Sequence, residues 1–127
     1  MPVITCLLVS DDPDDHQGFS EASSEVAEDA IVLTILDSQK ALQFLKTTSH
    51  RFDLIFLDLS MQGIRINMFL KSLKDDLQYH AAKIIVYGEE VEFFRIDDPT
   101  GIAFFKKDYE YSELRHFLKD FFTPRVQ

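Results

Sequence analysis

The stretch Phe52-Asp53-Leu54-Ile55-Phe56-Leu57-Asp58-Leu59-Ser60 constrains the fold more than any other part of the chain. Four apolar residues, Leu54 to Leu57, run without alternation into a single acid, Asp58. A half-exposed strand alternates apolar and polar residues. An unbroken apolar run bounded by polar residues suits a strand buried on both faces, as in a parallel sheet. In open α/β sheets, ligands sit outside the carboxyl ends of the strands. Asp58 stands at such an end.

Other segments repeat the pattern. Val3 to Val9 is a second continuous apolar run and reads as a central strand. It leads into Ser10-Asp11-Asp12-Pro13-Asp14-Asp15, where Pro13 suits the first helical position and Asp12 its N-cap. Asp14 and Asp15 then fall in the positively polarised first turn and read as a solvated helix start. Phe19, Ala22 and Val26 give this helix an apolar face, ending near Glu28. Ile31 to Leu36 is a β-branched second strand, and Asp37-Ser38 opens a second helix with Ala41, Leu42 and Leu45 toward the core. After the Asp53–Asp58 strand, Ser60 to Gly63 is a loop. Ile66, Phe69, Leu70 and Leu73 recur at i, i+3, i+4 and i+7 in a third helix. Lys83 to Tyr87 is a fourth strand, stopped by Gly88. Glu89 to Ile96 is a short helix at most, because Asp97-Asp98-Pro99-Thr100-Gly101 breaks it early. Ile102 to Phe105 is a fifth strand, followed by Lys106-Lys107. Ser112 caps a last helix carrying Leu114, Phe117, Leu118 and Phe121.

Strand and helix thus alternate five times. This predicts a single α/β domain over 1–127: a doubly wound parallel sheet, flavodoxin-like, with strand order 2-1-3-4-5. In that order the first and third strands are neighbours, and Asp11, Asp12 and Asp58 share one edge with Gly88 and Lys107.

Composition narrows the function. At 127 residues and 46% hydrophobic, the chain has enough apolar surface for one core. The net charge of −9 argues against nucleic acid or an anionic membrane as partner. Cys6, the only cysteine, lies in an apolar run and reads as a small core residue rather than a redox thiol. No run approaches the ~20 apolar residues of a membrane span, and no basic signal region opens the chain, so a cytoplasmic protein is expected. His16, His50, His80 and His116 show no ligand spacing and read as surface or helix residues rather than metal or phosphorelay residues.

Carboxylates at one sheet edge repel unless a cation joins them. Mg²⁺ takes oxygen ligands, one or two of them carboxylates, and the carbonyl of Ser60 is a simple further donor. Lys107 can reach the same edge as a point charge for a phosphate. Carboxylate, metal and lysine together suit phosphoryl transfer onto Asp58. Asp12 stands open between helix cap and metal ligand.

Three segments now carry a resemblance: Leu7-Leu8-Val9-Ser10-Asp11-Asp12-Pro13-Asp14-Asp15, Asp53-Leu54-Ile55-Phe56-Leu57-Asp58-Leu59-Ser60-Met61 and Phe104-Phe105-Lys106-Lys107. In this order and at these intervals the chain resembles a receiver domain of two-component response regulators over essentially its whole length. The resemblance implies that Asp58 is the phosphoacceptor, Asp11 the directly metal-bound acid, Ser60 the carbonyl ligand and Lys107 the phosphate-binding lysine. Phe104 falls at the family's switch aromatic. Mg²⁺ is the implied cofactor, and a histidine kinase or phosphotransfer protein the implied phosphate donor.

The chain also departs from the family pattern. Ser10 stands where the first of two adjacent acids is usual, with Asp12 an extra acid after Asp11. Gly88 replaces the hydroxyl residue that ends the fourth strand, Asp108 and Gln62 replace prolines, and Ile66 replaces a glycine. The segment from Gly88 to Gly101 is about two residues short against the family pattern, counted on this sequence. The leading expectation is therefore a stand-alone phosphorelay receiver with altered switching, signalling by contact with a downstream protein and with homodimerisation open. Its enzymatic activity would be at most self-phosphorylation and autodephosphorylation at Asp58. The runner-up is a pseudo-receiver, a docking module that works without phosphate. A Mg²⁺-dependent phosphatase needs a second acid two residues after its nucleophile, which Asp58-Leu59-Ser60 lacks. Flavin binding needs a phosphate loop that is missing after the first strand. Tyr109 and Tyr111 stand open between partner surface and core cover, as do Phe93 and Phe94 between contact patch and anchor.

Overall fold

Five strands pair side by side in parallel: Thr5–Val9 (β1), Ile31–Ile35 (β2), Leu54–Asp58 (β3), Lys83–Gly88 (β4) and Ile102–Lys106 (β5). Their order is β2-β1-β3-β4-β5, as the alternation of segments predicts. The structure, a computed structural model, describes residues 4–27, 29–61, 64–106 and 110–122. The helices are Pro13–Val26 (α1), Ser38–Thr47 (α2), Ile66–Asp75 (α3) and Tyr111–Phe122 (α4), with 3-10 turns at Leu77–Tyr79 and Glu90–Arg95.

The local chemistry of the helix starts is visible. Asp12 caps α1 by accepting from the Asp14 amide at 3.0 Å, with Pro13 just inside. Asp37 caps α2 by accepting from the Lys40 amide at 2.9 Å. Ile66, Phe69, Leu70 and Leu73 are all buried along α3. Ser112 is not a cap, because α4 begins one residue earlier and the Glu110 amide donates to the Glu113 carboxylate instead. Gly88 does not stop β4 but is its last residue and pairs with Lys106. The short helix expected over Glu89–Ile96 is 3-10 rather than α.

All five residues of β3 are buried, which is why its sequence does not alternate. Alternate residues of the strands serve two separate cores. Leu7, Val9, Ile55, Leu57, Ile84 and Val86 pack toward α2 and α3. Cys6, Leu8, Leu54, Phe56, Ile85 and Tyr87 pack toward α1 and α4. Phe56 is the hub of the second core, with Phe19, Tyr87, Phe117 and Phe105 rings at 4.9 to 6.4 Å. Among the described residues no helix is long and apolar enough to cross a membrane.

Candidate functional site

The two-residue period that sorts the core also builds the site. On β1 the series Cys6, Leu8, Ser10 continues one face; on β3 it is Leu54, Phe56, Asp58. Leu8 lies beside Phe56, so the next step brings Ser10 beside Asp58. Asp58 pairs with Tyr87 on β4. Ser10, Asp58 and Tyr87 therefore stand in a row across three neighbouring strands, on the face covered by α1. The first turn of α1 adds Asp15.

Hydrogen bonds join the four residues. The Ser10 hydroxyl lies 3.1 Å from Asp58 Oδ2 and 3.1 Å from Asp15 Oδ2. Tyr87 donates its phenol proton to the same Asp15 Oδ2 at 3.0 Å. The other oxygen of Asp58, Oδ1, accepts from the Ser60 amide at 2.8 Å. Ser10 Oγ itself accepts from the Asp12 amide at 3.2 Å. Ser10 and Asp58 have no exposed surface, and buried polar groups of this kind need such partners. Burial first, then the charge of Asp58, holds the Tyr87 phenol well above its ordinary value of 10, so it is the protonated, donating form at neutral pH.

The remaining expected residues fall around this row. Asp11 is exposed in the bend after β1, and Ser60 is exposed in the turn after β3. Asp12 is half-buried, with Oδ1 engaged as the α1 cap. Lys107, and with it Gln62, Gly63, Asp108 and Tyr109, lies outside the described residues. Among the described residues no three His, Cys, Asp or Glu side chains form a ready cation cluster. The donor types at this edge, the carboxylates of Asp11, Asp12, Asp15 and Asp58 and the Ser60 carbonyl, are nevertheless hard oxygens of the sort Mg²⁺ accepts.

Gly88 and Phe104 belong to the other face of the sheet. A Cβ on Gly88 would meet Glu92 Oε1 at 2.8 Å and the Leu59 Cβ at 3.0 Å. The Glu92 carboxylate is held there by the Glu89 amide at 2.8 Å, part of a capping box that starts the 3-10 turn. Phe104 is 38% exposed, with the Phe93 ring 4.8 Å away. Phe93 is half-buried and anchors the turn, whereas Phe94 is 86% exposed.

One sequence expectation at the site needs correction. Asp15 is not a solvated helix-start acid, because it is half-buried and takes two hydroxyl contacts at the site. His16 is a helix residue of α1, as one of its two readings has it, and its Nε2 lies 2.6 Å from the Ser10 carbonyl. The sequence alone marks Tyr87 only as the end of a strand. Its strand register, Tyr87 opposite Asp58, is the signal that finds it, once the sheet order is combined with the period of two.

No family model matches the chain. No curated protein matches it by sequence. Solved structures do match in three dimensions. The phosphorylated cyanobacterial phytochrome response regulator RcpA is similar with a TM-score of 0.77 at 23% identity, over 94% of this chain and 91% of that one. The chemotaxis response regulator CheY4 of Vibrio cholerae gives 0.74 at 21% identity, over 94% and 99%. A response regulator from Thermotoga maritima gives 0.73 at 15% identity, over 94% and 98%. At these identities the likeness is one of fold: the chain has the fold of response-regulator receiver domains, over nearly its whole length.

Proposed function

We propose that this chain is a receiver that accepts a phosphoryl group on Asp58 from a histidine kinase or phosphotransfer protein and passes the signal on by protein contact. The observation that carries this reading is the place of Asp58: a buried carboxylate at the carboxyl end of the central strand of a receiver fold, held at both oxygens by Ser60 and Ser10. In the transfer, an Asp58 oxygen forms a bond to phosphorus while the bond from phosphorus to the donor's imidazole nitrogen breaks. The chain's contribution is positioning and charge. The Ser60 amide holds Oδ1, and the Ser10 hydroxyl meets Oδ2. Lys107 is assigned to the incoming phosphate. Asp11, Asp58 and the Ser60 carbonyl are assigned to Mg²⁺, which when bound would offset the charge brought together there. Asp12, occupied as a helix cap, is assigned a secondary part. A cytoplasmic protein that contacts a downstream protein, and not nucleic acid, fits the −9 charge.

A second reading has a specific observation in its favour. Asp58 has no exposed surface, so a phosphate donor reaches it only after neighbouring groups move. A docking module of the same fold, working without phosphate, needs no such movement. ¹⁹F NMR with beryllofluoride and Mg²⁺ separates the two. The receiver reading expects bound-fluoride resonances that disappear with Asp58→Asn; their absence at saturating Mg²⁺ supports the docking module.

A further inference from the structure

We propose that Ser10, Asp15 and Tyr87 form a hydrogen-bond relay that couples the state of the Asp58 carboxylate to the aromatic core beneath α1 and α4. The inference rests on the receiver reading only for what alters Asp58 in the cell. Its basis is a count of protons. The Ser10 hydroxyl has one proton, two carboxylate oxygens at the same distance, 3.1 Å, and the Tyr87 phenol as a further hydrogen-bond neighbour. It donates to one of them at a time. Asp15 Oδ2 in turn has two donors aimed at it, Ser10 and Tyr87.

The consequence follows from acceptor strength. An ionised carboxylate accepts more strongly than a neutral carbonyl. While Asp58 is a free carboxylate it competes with Asp15 for the Ser10 proton. Once Oδ2 is esterified by a phosphoryl group it loses its carboxylate charge and accepts more weakly, and the hydroxyl turns to Asp15. There it meets the Tyr87 phenol on the same oxygen, and the Tyr87 bond lengthens or shifts. Tyr87 is not isolated: its ring lies 5.6 Å from Phe56, whose neighbours include Phe19 of α1 and Phe117 of α4. The relay therefore runs to the α1/α4 face. Gly88, which lacks a hydroxyl, and Phe104 sit on the other face of the sheet. Ser10, Asp15 and Tyr87 are positioning residues in this scheme; none receives the phosphoryl group.

The test replaces tyrosine by 3-fluorotyrosine in the full chain and follows the Tyr87 ¹⁹F line, assigned by its loss in Tyr87→Phe. Asp58→Asn weakens the acceptor without any phosphate. The relay predicts that this change shifts the Tyr87 line, that Ser10→Ala or Asp15→Asn abolishes the shift, and that Ser10→Thr, which keeps the hydroxyl, retains it. Circular dichroism checks that each variant folds, and the two independent blocking variants cover the loss of either. An equal Tyr87 shift with and without the Ser10 hydroxyl, or no shift in any background, overturns the relay. Beryllofluoride with Mg²⁺ is the second arm and is expected to move the line in the same direction as Asp58→Asn. If beryllofluoride fails to bind, the phosphoacceptor reading falls while the Asp58→Asn arm still decides the relay.

Discussion

Cys6 shows how a single residue's chemistry is set by its place in the sheet. It is fully buried on β1, and burial first, then the nearby charge of Asp53, pushes its thiol from 9.0 up to about 12. A thiol that stays protonated is a poor nucleophile. Native protein at pH 8 should react with a disulfide reagent at least tenfold more slowly than protein in urea; equal rates would contradict the buried placement. The same shift has a stability consequence with a definite sign. The unfolded thiol releases its proton near 9.0 while the folded one holds it to about 12. The stabilisation is complete below pH 9 and is lost as pH rises toward 12, with a slope of about 1.4 kcal/mol per pH unit for one proton. Urea titrations from pH 8 to 11 should show this loss, and Cys6→Ala should make it shallower. The role of Cys6 was legible in the sequence, because an apolar run gives a lone cysteine no other place. That of Asp15 was not, because a capped acidic first turn looks alike whether its third acid faces water or the sheet.

At the scale of elements, the segment after β4 departs furthest from the pattern of alternating strands and helices. It is a 3-10 turn tied down by side chains. Asn67 of α3 donates to the Arg95 carbonyl at 2.8 Å and accepts from the Asp97 amide at 2.8 Å. Lys74 reaches the Asp98 carbonyl at 2.8 Å. At the other end Glu92 lies over Gly88. A side chain at Gly88 would press on both Leu59 and Glu92, and Gly88→Ala should destabilise the protein by about 1–3 kcal/mol as these neighbours give way. In a Glu92→Ala background one of the two overlaps is gone, so the same change should cost less. Equal costs in both arms of this double-mutant cycle, read from urea midpoints, would show that Glu92 is not what fills the space. The shortness of this segment was legible from Pro99 and Gly101. Its helix type and its anchoring by Asn67 and Lys74 were not, since those contacts come from α3, some twenty to thirty residues away in sequence. The amphipathic helices were legible because their core positions recur locally, as Ile66, Phe69, Leu70 and Leu73 do.

For the whole molecule, the sheet divides the protein into two cores, and the site continues the α1/α4 face of the sheet. The α1/α4 core depends on Phe56, which four other rings surround. Phe56→Ala should cost about 3–5 kcal/mol and, being two residues from Asp58, should loosen the site as well. A loss under about 1 kcal/mol in urea unfolding would contradict its place as the hub. Strand order was legible because five largely apolar strand segments alternate with helical crossovers. The convergence of Ser10, Asp58 and Tyr87 was implicit in that order, but it needed the register to be seen. The central claim is that Asp58 accepts a phosphoryl group, and intact-mass spectrometry with acetyl phosphate and Mg²⁺ tests it most directly. The receiver account predicts a single added phosphoryl mass that requires Mg²⁺ and is absent from Asp58→Asn. An unmodified mass under these conditions, in protein shown to be folded, would contradict it and leave the phosphate-independent docking module as the account of this chain.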